Sequence, residues 1–186
     1  ASAPDYETKT SYTTTLTASD DAGNSSSQSI TVSINNLNDN DPVFSTGATF
    51  SADENQTAIG TAAATDADGD SVTFSISGSD LAITSSGVIS FNSTPDYETT
   101  TSYTATITAN DGANSITQDI TVNVTDLDDE APVITSSATF SADENQTAIG
   151  TVTATDADNL DTSASTNFVI TGSEMSVSST GVLTFT

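Results

Sequence analysis

The 186 residues include one Lys+Arg against 26 Asp+Glu and no His or Cys, for a formal net charge of -25. Such a chain has no disulfide framework, imidazole base, thiol nucleophile or soft-metal cluster, and with Lys9 as its one cation it makes a poor partner for nucleic acid or anionic lipid. No run is long and apolar enough to cross a bilayer, so direct membrane insertion is not expected. The natural counter-charge is a metal cation, and carboxylates are hard oxygen ligands that suit Ca²⁺.

In chain order, Pro4-Asp5-Tyr6-Glu7-Thr8 is the first distinctive segment, and it returns as Pro95–Thr99, 91 residues later. The run Asn36–Phe44 follows, with Asn40-Asp41-Pro42-Val43 echoed by Glu130-Ala131-Pro132-Val133. Thr49–Thr61 returns unchanged at Thr139–Thr151, 90 residues later. A unit of about 90 residues is too long for a solenoid repeat and fits a small sandwich domain. The expected division is 1–40 as the second half of a repeat, 41–127 as a complete repeat, and 128–186 as the first half of another.

Inside the unit the period is two. Tyr103, Ala105, Ile107 and Ala109 alternate with Thr104, Thr106 and Thr108, and Ile120, Val122 and Val124 alternate with Thr121 and Asn123. Both runs read as strands with one buried face and one wet face rich in Thr. Gly60, Gly87 and Gly112 punctuate the strands, and no helical period is present. Several short strands in about 90 residues argue for an immunoglobulin-like antiparallel sandwich.

Acidic residues gather where strands should begin or end: Asp53-Glu54-Asn55, Asp66-Ala67-Asp68, Asp96-Tyr97-Glu98, Asp111 and Asp126-Leu127-Asp128-Asp129-Glu130. A solubility coat would scatter them instead. Like charges packed this closely are unfavourable unless a cation bridges them.

At these motifs the chain resembles the cadherins. Asn36-Leu37-Asn38-Asp39-Asn40-Asp41-Pro42-Val43-Phe44 is similar to the cadherin linker, Asp53-Glu54-Asn55 to the early Glu motif, and Asp66-Ala67-Asp68 to the Asp-x-Asp. Asp96-Tyr97-Glu98 resembles Asp-Arg-Glu with Tyr in place of Arg, and Ala109-Asn110-Asp111-Gly112 resembles the late Ala-x-Asp. The resemblance implies an all-β chain of tandem seven-stranded Greek-key β-sandwiches with Ca²⁺ bound at each junction. At the first junction it implies Asp5, Glu7, Asn38, Asp39, Asn40 (through its carbonyl), Asp66, Asp68 and Asp111. At the second it implies Glu54, Asp96, Glu98, Asp126, Asp128, Asp129, Glu130 (by backbone), Asp156 and Asp158. Asn36 replaces the linker's leading Asp, which removes a charge from the first site, while Asp128 and Glu130 replace the two Asn residues in the second. Each junction also lacks one ligand in the sequence order, and the two matching residues, Glu144 and Asp20, fall in the end half-repeats.

Competing motif readings are weaker. Asp66-Ala67-Asp68-Gly69-Asp70 fails as an EF-hand, because Ser71 and Ser77 stand where Gly and Glu are required. Asp96 and Glu98 as an acid–base pair lack a pocket, an aromatic platform or any His. The chain is therefore read as a non-enzymatic, extracellular or cell-surface module. The leading expectation is a calcium-stiffened, rod-like spacer in a bacterial-type surface adhesin whose partners are calcium ions and neighbouring repeats. The alternatives are a self-assembling fibre, in which end half-repeats complement one another between identical chains, and a carbohydrate-binding module, which no cluster of aromatics supports.

Overall fold

A computed structural model describes residues 2–158 and 168–186, and among these residues every regular element is a β-strand. In chain order they are β1 (Ser11–Ser19), β2 (Ser25–Ser33), β3 (Val43–Phe44), β4 (Thr49–Asp53), β5 (Ala58–Thr61), β6 (Ala64–Thr65), β7 (Thr73–Ile76) and β8 (Leu81–Ile83). They continue with β9 (Val88–Phe91), β10 (Ser102–Asn110), β11 (Ser115–Thr125), β12 (Val133–Ile134), β13 (Ala148–Thr151), β14 (Ala154–Thr155), β15 (Met175–Val177) and β16 (Val182–Phe185). The chain divides into two compact units: Ala1–Phe50 with Ala58–Ser93 and Thr104–Val122, and Ser51–Thr57 with Thr94–Tyr103 and Asn123–Thr186.

The repeat between Val43 and Thr125 is an antiparallel sandwich. One sheet has the order β4-β11-β10-β7, a second has β5-β9-β8, and β3 pairs with β6. Taking β3–β4 and β5–β6 as single interrupted strands makes seven strands. The alternation in the sequence translates directly into burial. Ile120, Val122 and Val124 point inward along β11 while Asn123 and Thr125 face solvent, and Ile107 and Ala109 point inward from β10. The opposite sheet supplies Leu81, Ile89 and Phe91. Removing each large side chain from water stabilises the fold by about 1.5–3 kcal/mol.

Gly87 cannot be replaced without strain. Its φ of 92° lies in the left-handed region, and a Cβ there would collide with the carbonyl oxygen of Ala62, whose own N–H donates to Gly87 O at 2.9 Å. Gly181 repeats the arrangement against Val152, so the sequence period is also a backbone period.

In the first unit, β1 and β2 form a hairpin of nine paired positions, from Ser11↔Ser33 to Ser19↔Ser25. Both strands are exposed along their whole length. In the second unit, β13, β16 and β15 make a three-stranded sheet and β12 pairs with β14.

Ile107→Ala is expected to lower the unfolding free energy by about 2–5 kcal/mol. Gly87→Ala should lower it by at least about 1 kcal/mol through backbone strain. Denaturant titration of each variant against the parent checks both.

Candidate metal centres

The first acidic centre lies in the first unit. One carboxylate oxygen each from Glu7, Asp39 and Asp68 lie within 4.8 Å of one another, and the same holds for Asp66, Asp68 and Asp70. Asp68 is common to both groups. Its Oδ2 accepts the backbone N–H of Asp39 at 3.0 Å and of Asn40 at 2.8 Å, while Oδ1 accepts the Asn40 amide at 2.9 Å. These bonds favour the ionised form, and the pKa of Asp68 is held below the ordinary carboxylate value, the Asn40 N–H contributing most. Glu7, beside Asp68, is raised on balance: its own backbone N–H pulls it down, and desolvation and the Asp68 carboxylate outweigh that.

Asp111, just past the end of β10, is in neither of these carboxylate groups but lies against the linker, its main-chain carbonyl accepting the Asn38 amide at 3.4 Å. Its Oδ1 accepts the N–H groups of Ala113 at 2.8 Å and Asn114 at 2.7 Å, which lower its pKa, Asn114 most. The Asn114 amide donates to Asn38 Oδ1 at 3.3 Å and to the Asn40 carbonyl at 3.1 Å, tying the linker to the loop. Asn114 and Asp70 are absent from the residues expected at this junction. Asp70 had a sequence signal in the Asp-x-Asp-x-Asp spacing; Asn114 had none, because its role depends on the loop folding back against the linker. Asn36 donates its amide to the Asp68 carbonyl at 2.8 Å.

The second centre lies in the second unit. Carboxylate oxygens of Glu54, Glu98 and Asp129 form one group, and those of Glu98, Asp126 and Asp158 form another. Glu54 is buried at the end of β4, its Oε2 accepting Tyr97 N–H and its Oε1 accepting Leu127 N–H, both at 2.8 Å. It therefore fastens the Asp96-Tyr97-Glu98 turn to the 126–130 linker. Asn55 takes a left-handed φ of 61°, which asparagine tolerates, and its amide donates to Asp129 Oδ2. Glu130 N–H donates to Asp158 Oδ2 at 2.6 Å, the counterpart of Asn40 N–H on Asp68. Asp156 Oδ1 accepts the N–H of Asp158. Asp128 adds its charge to the field that acts on Asp126.

The two Asp-x-Glu aspartates do not join the clusters found among the described residues. Asp5 accepts Glu7 N–H, Thr8 N–H and the Thr8 hydroxyl, and Asp96 accepts Thr99 N–H and hydroxyl. Both shape the turns that present Glu7 and Glu98. Glu144 is exposed, and Asp20 is taken up by Ala22 and Asn24 in its own turn; neither is brought into an acidic cluster.

The donor sets fit a hard divalent cation. Every side-chain donor is oxygen, and two oxygens on one Ca²⁺ at about 2.4 Å lie at most about 4.8 Å apart. Among the described residues four buried carboxylate oxygens have no hydrogen-bond partner: Asp66 Oδ2, Asp111 Oδ2, Asp126 Oδ1 and Asp158 Oδ1. Buried polar atoms are normally satisfied, so four orphans at the two junctions point to a ligand that accepts lone pairs.

No family model matches the chain. Among curated proteins it is similar to Cadherin EGF LAG seven-pass G-type receptor 1 of Mus musculus, with 33% identity over 150 residues covering 72% of the chain and 5% of that protein. It is also similar to Cadherin-99C of Drosophila melanogaster, with 35% identity over 142 residues covering 69% of the chain and 8% of that protein. The chain thus spans less than a tenth of the length of these relatives. Among solved structures, Protocadherin Gamma B2 extracellular cadherin domains 3-6 match 97% of the chain and 51% of their own, with a TM-score of 0.73 at 25% identity. The Protocadherin gammaB7 EC3-6 cis-dimer structure matches 97% and 52%, with a TM-score of 0.75 at 26% identity.

The carboxylates divide by direction of shift, and this sets the pH response of the chelated protein. Asp126 is raised by desolvation and by the charges of Asp158, Glu54, Asp129 and Asp128. Glu98 is raised on balance, its own backbone N–H being outweighed by desolvation and by Glu54, Asp158 and Asp126. A carboxyl raised in the folded state binds more protons there than in the unfolded chain, so stability increases as pH falls through its folded pKa. For the lowered Asp68 and Asp111 the stabilisation is present above the ordinary carboxylate value and lost as pH falls through their folded pKa. In EGTA, stability should therefore rise from neutral pH to a maximum near the ordinary carboxylate range and fall below it. Thermal melts across a pH series check this, and a monotonic loss on acidification would contradict it. Separately, Glu54→Gln places an amide against two buried backbone donors and should cost about 1–3 kcal/mol in chelator.

Proposed function

The chain is a run of cadherin-like tandem repeats, extracellular all-β modules that are not enzymes, and from that premise we propose that it is a calcium-stiffened, rod-like spacer within an adhesive protein. Repeat boundaries are taken near 1–40, 41–127 and 128–186. The observation that carries the reading is the set of orphaned buried carboxylate oxygens, two at each junction, in a chain with one basic side chain. The one basic side chain, Lys9, lies over the Tyr12 ring instead.

Calcium supplies compact divalent charge and about six to eight oxygen-coordination positions. At the first junction Glu7, Asp39, Asp66, Asp68 and Asp111 would hold it, with Asp5, the Asn38 side chain and the Asn40 carbonyl as further ligands. At the second, Glu54, Glu98, Asp126, Asp129 and Asp158 would do so, with Asp96, Asp128, Asp156 and the Glu130 carbonyl. Each set draws on segments far apart in sequence, so a bend at the 36–41 or 126–131 linker separates ligands that share a charge. Repulsion favours that bend without the ion, and coordination opposes it with the ion. Because the ion binds only the assembled site, its affinity adds to stability.

The second centre is expected to bind more tightly. Asp126 stands where the first linker has the uncharged Asn36, whose amide N–H is turned to the Asp68 carbonyl. Asn36→Asp should therefore raise affinity at the first junction.

Calcium titration by calorimetry and thermal melting tests the assignment. A site filled at 100 times its Kd adds about 2.7 kcal/mol, which corresponds to roughly 10 °C or more for a domain of this size. Asp126→Asn should weaken binding at one junction by about tenfold or more, while its melt in EGTA is no lower than the parent's because a crowded charge has gone. A melting temperature indifferent to chelator, with no heat of binding at millimolar calcium, would contradict the proposal.

A further inference from the structure

The apolar residues of the two end segments are uncovered, and the repeat at 41–127 shows what covers their equivalents. On β1 and β2 the residues Leu16, Ile30 and Val32 face one side of the hairpin and are 58%, 37% and 53% exposed. By the sequence period they correspond to Ile107, Ile120 and Val122 of β10 and β11, which are 1%, 2% and 0% exposed. In residues 132–186 an open apolar groove is lined by Ile149, Val152, Phe168, Ile170, Met175 and Phe185. Phe185 is 45% exposed where its equivalent Phe91 is 3%.

The backbone repeats the pattern. Thr49–Asp53 forms β4 because β11 lies beside it, with Thr121 N–H donating to Ala48 O and Glu54 N–H to Thr125 O. Thr139–Asp143 has the identical sequence and forms no strand. Same residues, different outcome: what differs is the neighbouring strand. Phe168-Val169-Ile170, equivalent to Phe74-Ser75-Ile76 of β7, is likewise outside any strand. Among the described residues neither 139–143 nor 168–170 is part of a sheet, and in the order β4-β11-β10-β7 it is a two-stranded hairpin that lies between their equivalents.

We propose that this groove takes the β1–β2 hairpin of a second copy of the chain, β2 alongside 139–143 and β1 alongside 168–170, so that copies join head to tail. The contact is heterologous, and each copy keeps one free hairpin and one free groove, which makes the assembly open-ended. Docking gives Glu144 the backbone N–H groups of Tyr6 and Leu37, the equivalents of those held by Glu54. It also brings the Asp20 loop to the 126–130 linker, as Asp111 is brought to 36–40. Two chains of formal charge -25 repel, so calcium should strengthen the contact. The inference goes beyond the spacer reading and can fail without it.

The test is sedimentation velocity of the intact chain over a concentration series in 2 mM calcium, with a parallel series in EGTA. The parent should grow in mass with concentration, more in calcium. Leu16→Asp disables the hairpin and Phe185→Asp disables the groove, so each variant alone should remain a monomer. An equimolar mixture retains one sound hairpin and one sound groove, and should give a dimer and nothing larger. The chelator-sensitive melt of each variant confirms that the complete repeat is folded. A parent that stays monomeric at every concentration in calcium, variants that assemble like the parent, or a mixture that stays monomeric would each overturn the proposal. A calcium-dependent melt with a persistent monomer strikes the docking alone; a chelator-indifferent melt with growing mass strikes the calcium assignment alone.

Discussion

The molecule is organised around negative charge that has no positive partner within the chain. Twenty-six acidic side chains face a single lysine, and that lysine, Lys9, is spent over the ring of Tyr12 at 4.4 Å from its centroid. Exposed carboxylates tolerate this, because water screens them. Glu54, Asp111 and Asp158 are buried, and for them the protein's own answer is backbone and amide N–H groups. Those donors satisfy some lone pairs and leave others bare. Among the described residues Asp111 Oδ2 and Asp158 Oδ1 are left in this way, one at each acidic centre.

The sandwich itself was legible because its information is local and repeated. A period of two in Tyr103–Ala109 and Ile120–Val124 states which face is buried, and the returns of Thr49–Thr61 and Pro4–Thr8 state the length of the unit. The gathering of acids at strand ends marked Glu54, Asp66, Asp68, Glu98, Asp126 and Asp129, and the cadherin resemblance added Glu7, Asp39 and Asp158, all of which the structure brings into acidic groups. The remainder depended on geometry that residue spacing does not encode. Asp5 and Asp96 belong to the same motif as Glu7 and Glu98, yet two residues of separation turn them into caps of their own turns. Asn114 holds the linker through contacts 74 and 76 residues away, and nothing in its neighbourhood distinguishes it from other Asn residues in Ser/Thr-rich turns.

Thr139–Asp143 carries the same lesson for the fold. Its identity with β4 predicts a strand, while its propensity is mixed, Thr139 and Phe140 favouring one and Ala142 and Asp143 not. A strand is nevertheless a relation between two segments, and backbone N–H and C=O groups become a ladder only when a partner presents the complementary row. Reading sequence alone, the two copies are indistinguishable. The structure separates them by what lies alongside.

The two junctions, built on one template, reach different electrostatic states, and the difference traces to a handful of amide-for-acid exchanges. At the first junction the Asn40 N–H, with the Asn40 amide and the Asp39 N–H, pulls Asp68 below the ordinary carboxylate value, and the Asn114 N–H, with the Ala113 N–H and the Asn38 and Asn114 amides, does the same for Asp111. The second linker has Asp126, Asp128 and Glu130 where the first has asparagines. It retains the backbone donor at Glu130 but supplies charge where the first supplies amides, and Asp126 is raised, while Glu98 is raised as its counterpart Glu7 is. The first junction is thus partly satisfied by its own donors and carries less charge to attract an ion. The second carries carboxylates at the positions equivalent to Asn36, Asn38 and Asn40. The exchange leaves the core untouched, since Ile107, Ile120 and Val122 are buried inside the sandwich and take no part in it.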